Sequence, residues 1–209
     1  MSFISRATAI DADENVKQLY NDWAKTYDQD MADESQDYVA PALAAQAVLT
    51  TLNTKTIGSN ISILDAGCGT GLVGAHLAKL GAALIDGIDL SPGMLQVARA
   101  TGVYRSLEVT DLSKAIPISD ETYDVVTCVG TLTQGHVGPE VLTEFVRITK
   151  KGGIIIATVR ETVWKEQGFD NEVHQLVSGG EAQLLGAELE DYRRGAAAKA
   201  YIVRLKKAS

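Results

Sequence analysis

A chain of 209 residues, 45% hydrophobic and 22% charged, has the makeup of one globular domain and is long enough to bury a substantial core. A net charge of −8 speaks against a basic surface that tracks phosphates, and so against DNA or RNA as the substrate. Two cysteines give neither a disulfide framework nor zinc-ligand spacing, nothing approaches a membrane span, and the first residues lack a signal peptide's continuous apolar core. A reducing, cytoplasmic setting is the expectation, with no metal and no membrane partner.

In chain order, Val16, Leu19, Tyr20, Trp23 and Tyr27 recur at helical spacing and make one apolar and aromatic stripe. Asp22, Asp28, Asp30, Asp33, Glu34 and Asp37 lie in the same segment, which should therefore attach by one face while the other stays solvated. Pro41 starts a second helix in its first turn. These helices have no sheet of their own, so residues 1–60 are expected to pack on the rest of the chain. From residue 61, strands at about 61–66, 82–88, 104–109, 123–130 and 153–159 alternate with helices at about 72–80, 92–101, 138–150 and 162–178. That alternation implies parallel strands joined by right-handed crossovers, hence a three-layer α/β sandwich. Ala182–Tyr192 and Ala198–Leu205 are joined only by a short Arg193-Arg194-Gly195 link, which leaves room for a hairpin and not for a crossover helix. No repeat or long linker divides the chain, and a single domain over 1–209 is expected.

The most informative run is Ile61-Ser-Ile-Leu-Asp-Ala-Gly-Cys-Gly-Thr-Gly71. A short apolar strand ends near a carboxylate, and Gly67, Gly69 and Gly71 then allow a sharp turn and close approach to a ligand before a helix opens at Leu72. Gly69-x-Gly71-x-x-Gly74 also matches the dinucleotide fingerprint. In that fingerprint the first glycine follows the strand closely, whereas here Asp65 and two further residues intervene, and a carboxylate suits a cationic ligand better than a pyrophosphate. The run resembles the first nucleoside-binding motif of the class I S-adenosylmethionine-dependent methyltransferases. That resemblance implies S-adenosyl-L-methionine as cofactor, bound at Asp65, Gly67, Gly69 and Gly71. It also implies a Rossmann-like seven-stranded, mostly parallel sheet with an antiparallel C-terminal hairpin, so that 61–209 would form the nucleoside-binding α/β core and 1–60 a helical lid.

Further residues fall where this family places its ligand contacts. Asp89 ends the second strand, with Leu90 after it, and a carboxylate there can accept both ribose hydroxyls. Ser91 and Pro92 suit a helix start, and Met94 on that helix matches the side chain that packs on adenine in the family. Asp111 can take the adenine amine, with the Leu112 amide beside it for a ring nitrogen. Val129, Gly130 and Thr131, at the end of the fourth strand, match the edge that holds the amino-acid end and presents the methyl group. Leu19-Tyr-Asn-Asp-Trp-Ala-Lys-Thr-Tyr-Asp28 resembles the Tyr-x-x-Trp-Ala-x-x-Tyr-Asp segment of many small-molecule methyltransferases, which implies that Tyr20, Trp23 and Tyr27 line the cofactor. With the run 122–137 added, the likeness extends to the subgroup of the Williams–Beuren syndrome region methyltransferase-like protein over most of residues 15–160.

His136, in the loop beside the expected methyl group, is the candidate general base or acceptor ligand; a helix-capping histidine is the plainer alternative. His76, His174, Cys68 and Cys128 suit structural positions. The chain has no Asn-Pro-Pro-Tyr after the fourth strand and no acidic pair with metal-ligand histidines, which disfavours nucleobase amino methylation and metal-dependent catechol chemistry. The expected reaction is methyl transfer to a small-molecule acceptor, by a monomer or homodimer. A non-catalytic cofactor-binding or interaction protein and, behind it, a NAD-dependent enzyme are the alternatives. Residues 15–40 are expected to become ordered over the adenosine when cofactor binds.

Overall fold

The computed structural model describes residues 2–8, 15–135 and 137–209. Among the described residues seven strands are formed: β1 (Ser62–Ala66), β2 (Leu84–Asp89), β3 (Ser106–Val109), β4 (Tyr123–Leu132), β5 (Thr149–Arg160), β6 (Ala182–Arg193) and β7 (Ala198–Lys207). They make one sheet in the order β3-β2-β1-β4-β5-β7-β6. Strands β1 to β5 pair in parallel, and β7 runs antiparallel to both of its neighbours. This is the Rossmann-like sheet with a C-terminal hairpin that the sequence pattern and its resemblance implied. The chain runs from β1 outward through β2 and β3, then returns to place β4 on the other side of β1. That reversal opens a crevice at the C-terminal ends of β1 and β4, where ligands bind in open α/β sheets.

Both faces of the sheet are covered. Ile63 and Leu64 point to opposite sides of β1, yet neither has exposed surface. On one side Leu64 and Val126 pack with Phe145 of α7 (Val141–Ile148) and with Phe169 of α9 (Phe169–Ser178). On the other, Ile63 and Val125 pack with Leu77 of α5 (Leu72–Lys79) and with Ala44 and Val48 of α4 (Ala40–Leu52). Helix α6 (Pro92–Ala100) joins β2 to β3. Because Ala44 and Val48 are fully buried against the sheet, α4 is a layer of the sandwich. The expectation of a lid over all of 1–60 therefore does not hold for α4, which is preceded by α1 (Phe3–Thr8), α2 (Val16–Trp23) and α3 (Tyr27–Ala32).

The aromatic stripe is broken between α2 and α3. The Trp23 indole N–H and the Thr26 hydroxyl both donate to Asp30 Oδ2, at 2.6 and 3.1 Å, and brace the turn between the two helices. Leu19, Trp23 and Met31 are buried, whereas Asp22, Asp28, Asp33, Glu34 and Asp37 are exposed, as a segment held by one face should be. The expected helix at 162–178 is also interrupted. Gly168, at φ +81°, separates α8 (Glu161–Trp164) from α9. Helix α1 carried no periodic signal and was not foreseen. Cys68 and Cys128 are free and buried. Among the described residues no helix is long and apolar enough to cross a membrane. Nor does any group of three or more His, Cys, Asp or Glu among them suit a metal ion.

Candidate cofactor site

The turn after β1 is built on backbone conformations that favour glycine. Gly67 and Gly69 sit at φ +69° and +54°, and the amides of Gly67 and Cys68 both donate to the Ile88 carbonyl, at 2.8 and 3.0 Å. A Cβ on Gly67 would strike the Thr131 hydroxyl, so the turn can pass β4 only as glycine. A Cβ on Gly69 would meet nothing within 4 Å, because that side faces open space.

Asp89 organises the space. Its Oδ2 accepts from the Gly69 amide at 2.8 Å and its Oδ1 from the Ser91 amide at 2.8 Å. One carboxylate thus joins the glycine turn to the start of α6 and keeps lone pairs on both oxygens for a ligand. Burial pushes its pKa up, and the backbone donors oppose that shift. Ser91 caps α6, accepting from the Met94 amide at 3.1 Å. After β3, Asp111 accepts from the Ser113 hydroxyl and amide, at 2.6 and 3.0 Å, and pairs with Lys114 at 3.0 Å. These partners hold its pKa below the usual carboxylate range.

The resulting cavity measures about 280 Å³. Its walls include Gly67 and Gly69 from the turn, Asp89, Leu90 and Met94 after β2, and Asp111 and Leu112 after β3. Val129, Gly130 and Thr131 close one end, and Tyr20 and Tyr27 of α2 and α3 cover it. Two carboxylates, Asp89 and Asp111, line the cavity. A Cβ on Gly74 would collide with the Tyr104 ring, and the same ring packs on Gly71 and Gly87. Gly74 therefore leaves room for the partly buried Tyr104 ring.

The comparisons with known proteins agree with this geometry. The family described as "Methyltransferase domain" matches residues 64–157. The chain is 39% identical over 143 residues to methyltransferase-like protein 27 of Homo sapiens, covering 68% of this chain and 56% of that protein. The chain belongs to the class I S-adenosylmethionine-dependent methyltransferases.

The chain is also 37% identical over 109 residues to the malonyl-[acyl-carrier protein] O-methyltransferase of Yersinia pestis, covering 51% of this chain and 39% of that protein. The chain thus spans about half the length of the curated relatives it matches. A SAM-dependent methyltransferase structure from Methanosarcina mazei superposes with a TM-score of 0.60 at 17% identity, over 76% of this chain and 97% of that one. The [4+2]-cyclase SpnF superposes with a TM-score of 0.66 at 17% identity, over 92% and 95%. Both share the fold; the second shows that the fold alone does not dictate a reaction.

Three of the expected cofactor contacts lie outside the wall of the larger cavity. Asp65 is fully buried, accepting from the Tyr104 hydroxyl at 2.7 Å and from Thr127 Oγ1 at 3.1 Å. Its carboxyl is turned into the protein onto Tyr104 and Thr127, which corrects the expectation of a carboxylate facing a cation. Burial pushes its pKa up to about 6, against the pull of those two hydroxyl donors. Gly71, at φ +96°, precedes α5 and is packed on Tyr104. Trp23 lines a second, smaller cavity of about 70 Å³ that shares Tyr20, Tyr27 and Gly130 with the first. His136 lies outside the described residues.

Sequence reasoning missed Val16, Lys17, Ser91, Thr110, Ser113 and Val137, which also line the main cavity. Thr110 and Ser113 flank Asp111, and Ser91 was read only as a cap, so proximity to the named carboxylates was the available signal. Lys17 carried no signal, since it sits on the polar side of the aromatic stripe.

Proposed function

We propose that this chain binds S-adenosylmethionine in the larger cavity and transfers its methyl group to a small-molecule acceptor. One observation carries the reading: Asp89 is fixed by the Gly69 and Ser91 amides at the cavity wall, both of its oxygens directed by the backbone. When bound, the cofactor supplies an electrophilic methyl group on a sulfonium. Asp89 accepts the ribose hydroxyls, Asp111 and the Leu112 amide recognise adenine, and Met94 packs on its ring. Val129, Gly130 and Thr131 hold the amino-acid end. Tyr20 and Tyr27 close over the ligand and exclude water, so that rate comes chiefly from positioning and desolvation. His136 is the candidate group for accepting a proton from the acceptor.

The smaller cavity beside Gly130 favours an enzyme over a protein that only holds the cofactor, because it gives an acceptor room next to the expected methyl position. The test is a metabolite library incubated with the chain and radiolabelled S-adenosylmethionine. Label in a small-molecule product supports the enzyme; tight binding of S-adenosylhomocysteine without any labelled product supports the non-catalytic alternative.

A further inference from the structure

Two arginines meet at the smaller cavity from the ends of separate strands. Arg160 closes β5 and Arg193 closes β6, and their Cζ atoms lie 5.5 and 5.6 Å from the centre of the Tyr192 ring. Both line the cavity. Arg193 is only 8% exposed. Its Nη1 donates to Gln36 Oε1 at 3.1 Å, while the buried Nε atoms of Arg193 and Arg160 have no hydrogen-bond partner. Neither guanidinium enters an ion pair among the described residues. Burial lowers the Arg160 pKa, and the charge of Arg193 acts in the same sense.

Cations drawn together away from water and left with unmet donors are costly unless an anion completes them. In a chain of net charge −8, such a pair is a local exception to the overall balance. A guanidinium presents a planar fork of donors that matches a carboxylate. The space is of the right size, since about 70 Å³ exceeds the ~10–15 Å³ a single water needs but cannot take a nucleoside. Tyr20, Tyr27 and Gly130 belong to both cavities, so a molecule anchored at the arginines extends toward the β4 edge.

We propose that Arg160 and Arg193 form an anchoring site for a carboxylate on the methyl acceptor, which makes the acceptor an anionic small molecule. The assignment rests on the methyl-transfer reading for the word acceptor, but the carboxylate site can be measured without turnover. The carboxylate is the handle and not the nucleophile, because hydrogen bonds to two guanidiniums withdraw the lone pairs it would need.

The experiment uses the full chain saturated with S-adenosylhomocysteine and titrated calorimetrically with benzoate or with its neutral analogue benzamide. Benzoate should bind at least about tenfold tighter than benzamide, as expected for charge-assisted hydrogen bonds. Arg193→Gln and Arg160→Gln should each abolish that preference while S-adenosylhomocysteine affinity stays unchanged. The second variant, at a less buried side chain, decides the matter if the first fails to fold. Equal affinity for benzoate and benzamide, or a preference that survives in a variant still binding S-adenosylhomocysteine, overturns the site. Tighter calorimetric binding of inorganic phosphate than of benzoate overturns the carboxylate assignment. Loss of S-adenosylhomocysteine binding in the wild-type chain would instead strike the cofactor reading, and the benzoate preference would still be read on the chain alone.

Discussion

The Thr70 hydroxyl donates to Asp28 Oδ1 at 2.5 Å, tying the glycine turn after β1 to the start of α3. A second tie lies on the other side of the cavity, where Asn21 Oδ1 accepts from the Ser91 hydroxyl at 2.7 Å and from the Gly93 amide at 2.9 Å. Gly93 allows α2 to lie this close, since a Cβ there would stand 3.0 Å from the Asn21 carbonyl oxygen. Both contacts join the N-terminal segment to the residues that shape the cavity. Cofactor binding and closure of this segment should therefore be coupled.

That coupling gives the first prediction. In hydrogen exchange, residues 15–40 should gain protection when S-adenosylhomocysteine is added, and Asn21→Ala should reduce the gain. Equal protection with and without the ligand would make the segment a permanent layer, like α4.

The second concerns Gly74 and Tyr104. Gly74→Ala places a methyl group against the Tyr104 ring and should cost roughly 1–3 kcal/mol in urea unfolding, the usual range for overpacking a core. An unaltered midpoint would mean that the Tyr104 ring yields freely and that packing does not require a glycine at position 74.

The third follows from Asp65. Its folded-state pKa, raised to about 6, lies above the unfolded value of ~3.9, so between those values the folded state binds more protons than the unfolded one. Asp65 therefore favours folding most in its protonated form, and this contribution is lost as pH rises from about 4 to about 6, amounting to roughly 3 kcal/mol at ~1.36 kcal/mol per unit. Asp65→Asn cannot ionise. The stability of wild type relative to this variant should fall across that window and level off above it. Urea melts of both proteins at several pH values check the sign; a difference that stays constant contradicts it.

What could be read from sequence was whatever the local backbone demands. Gly67 and Gly69 were legible because few other residues adopt those φ values, and Asp89 and Asp111 because strand ends lie at one edge of a parallel sheet. The direction of Asp65 was not legible, since it depends on Tyr104, 39 positions away. The break in the aromatic stripe was hidden for a similar reason. Spacing alone fits a continuous helix, and the turn is set by Asp30 reaching back to Trp23 and Thr26. Arg160 and Arg193 come together only because β7 pairs with both β5 and β6.

The central claim is that the larger cavity is an S-adenosylmethionine site organised by Asp89. Calorimetry with S-adenosylhomocysteine and with NAD, on wild type and Asp89→Ala, tests it most directly. The account predicts that wild type binds S-adenosylhomocysteine in preference to NAD, and that Asp89→Ala weakens this binding by about 1.5–3 kcal/mol, the worth of hydrogen bonds to a charged acceptor. Undiminished affinity in Asp89→Ala, or a preference for NAD, would contradict it.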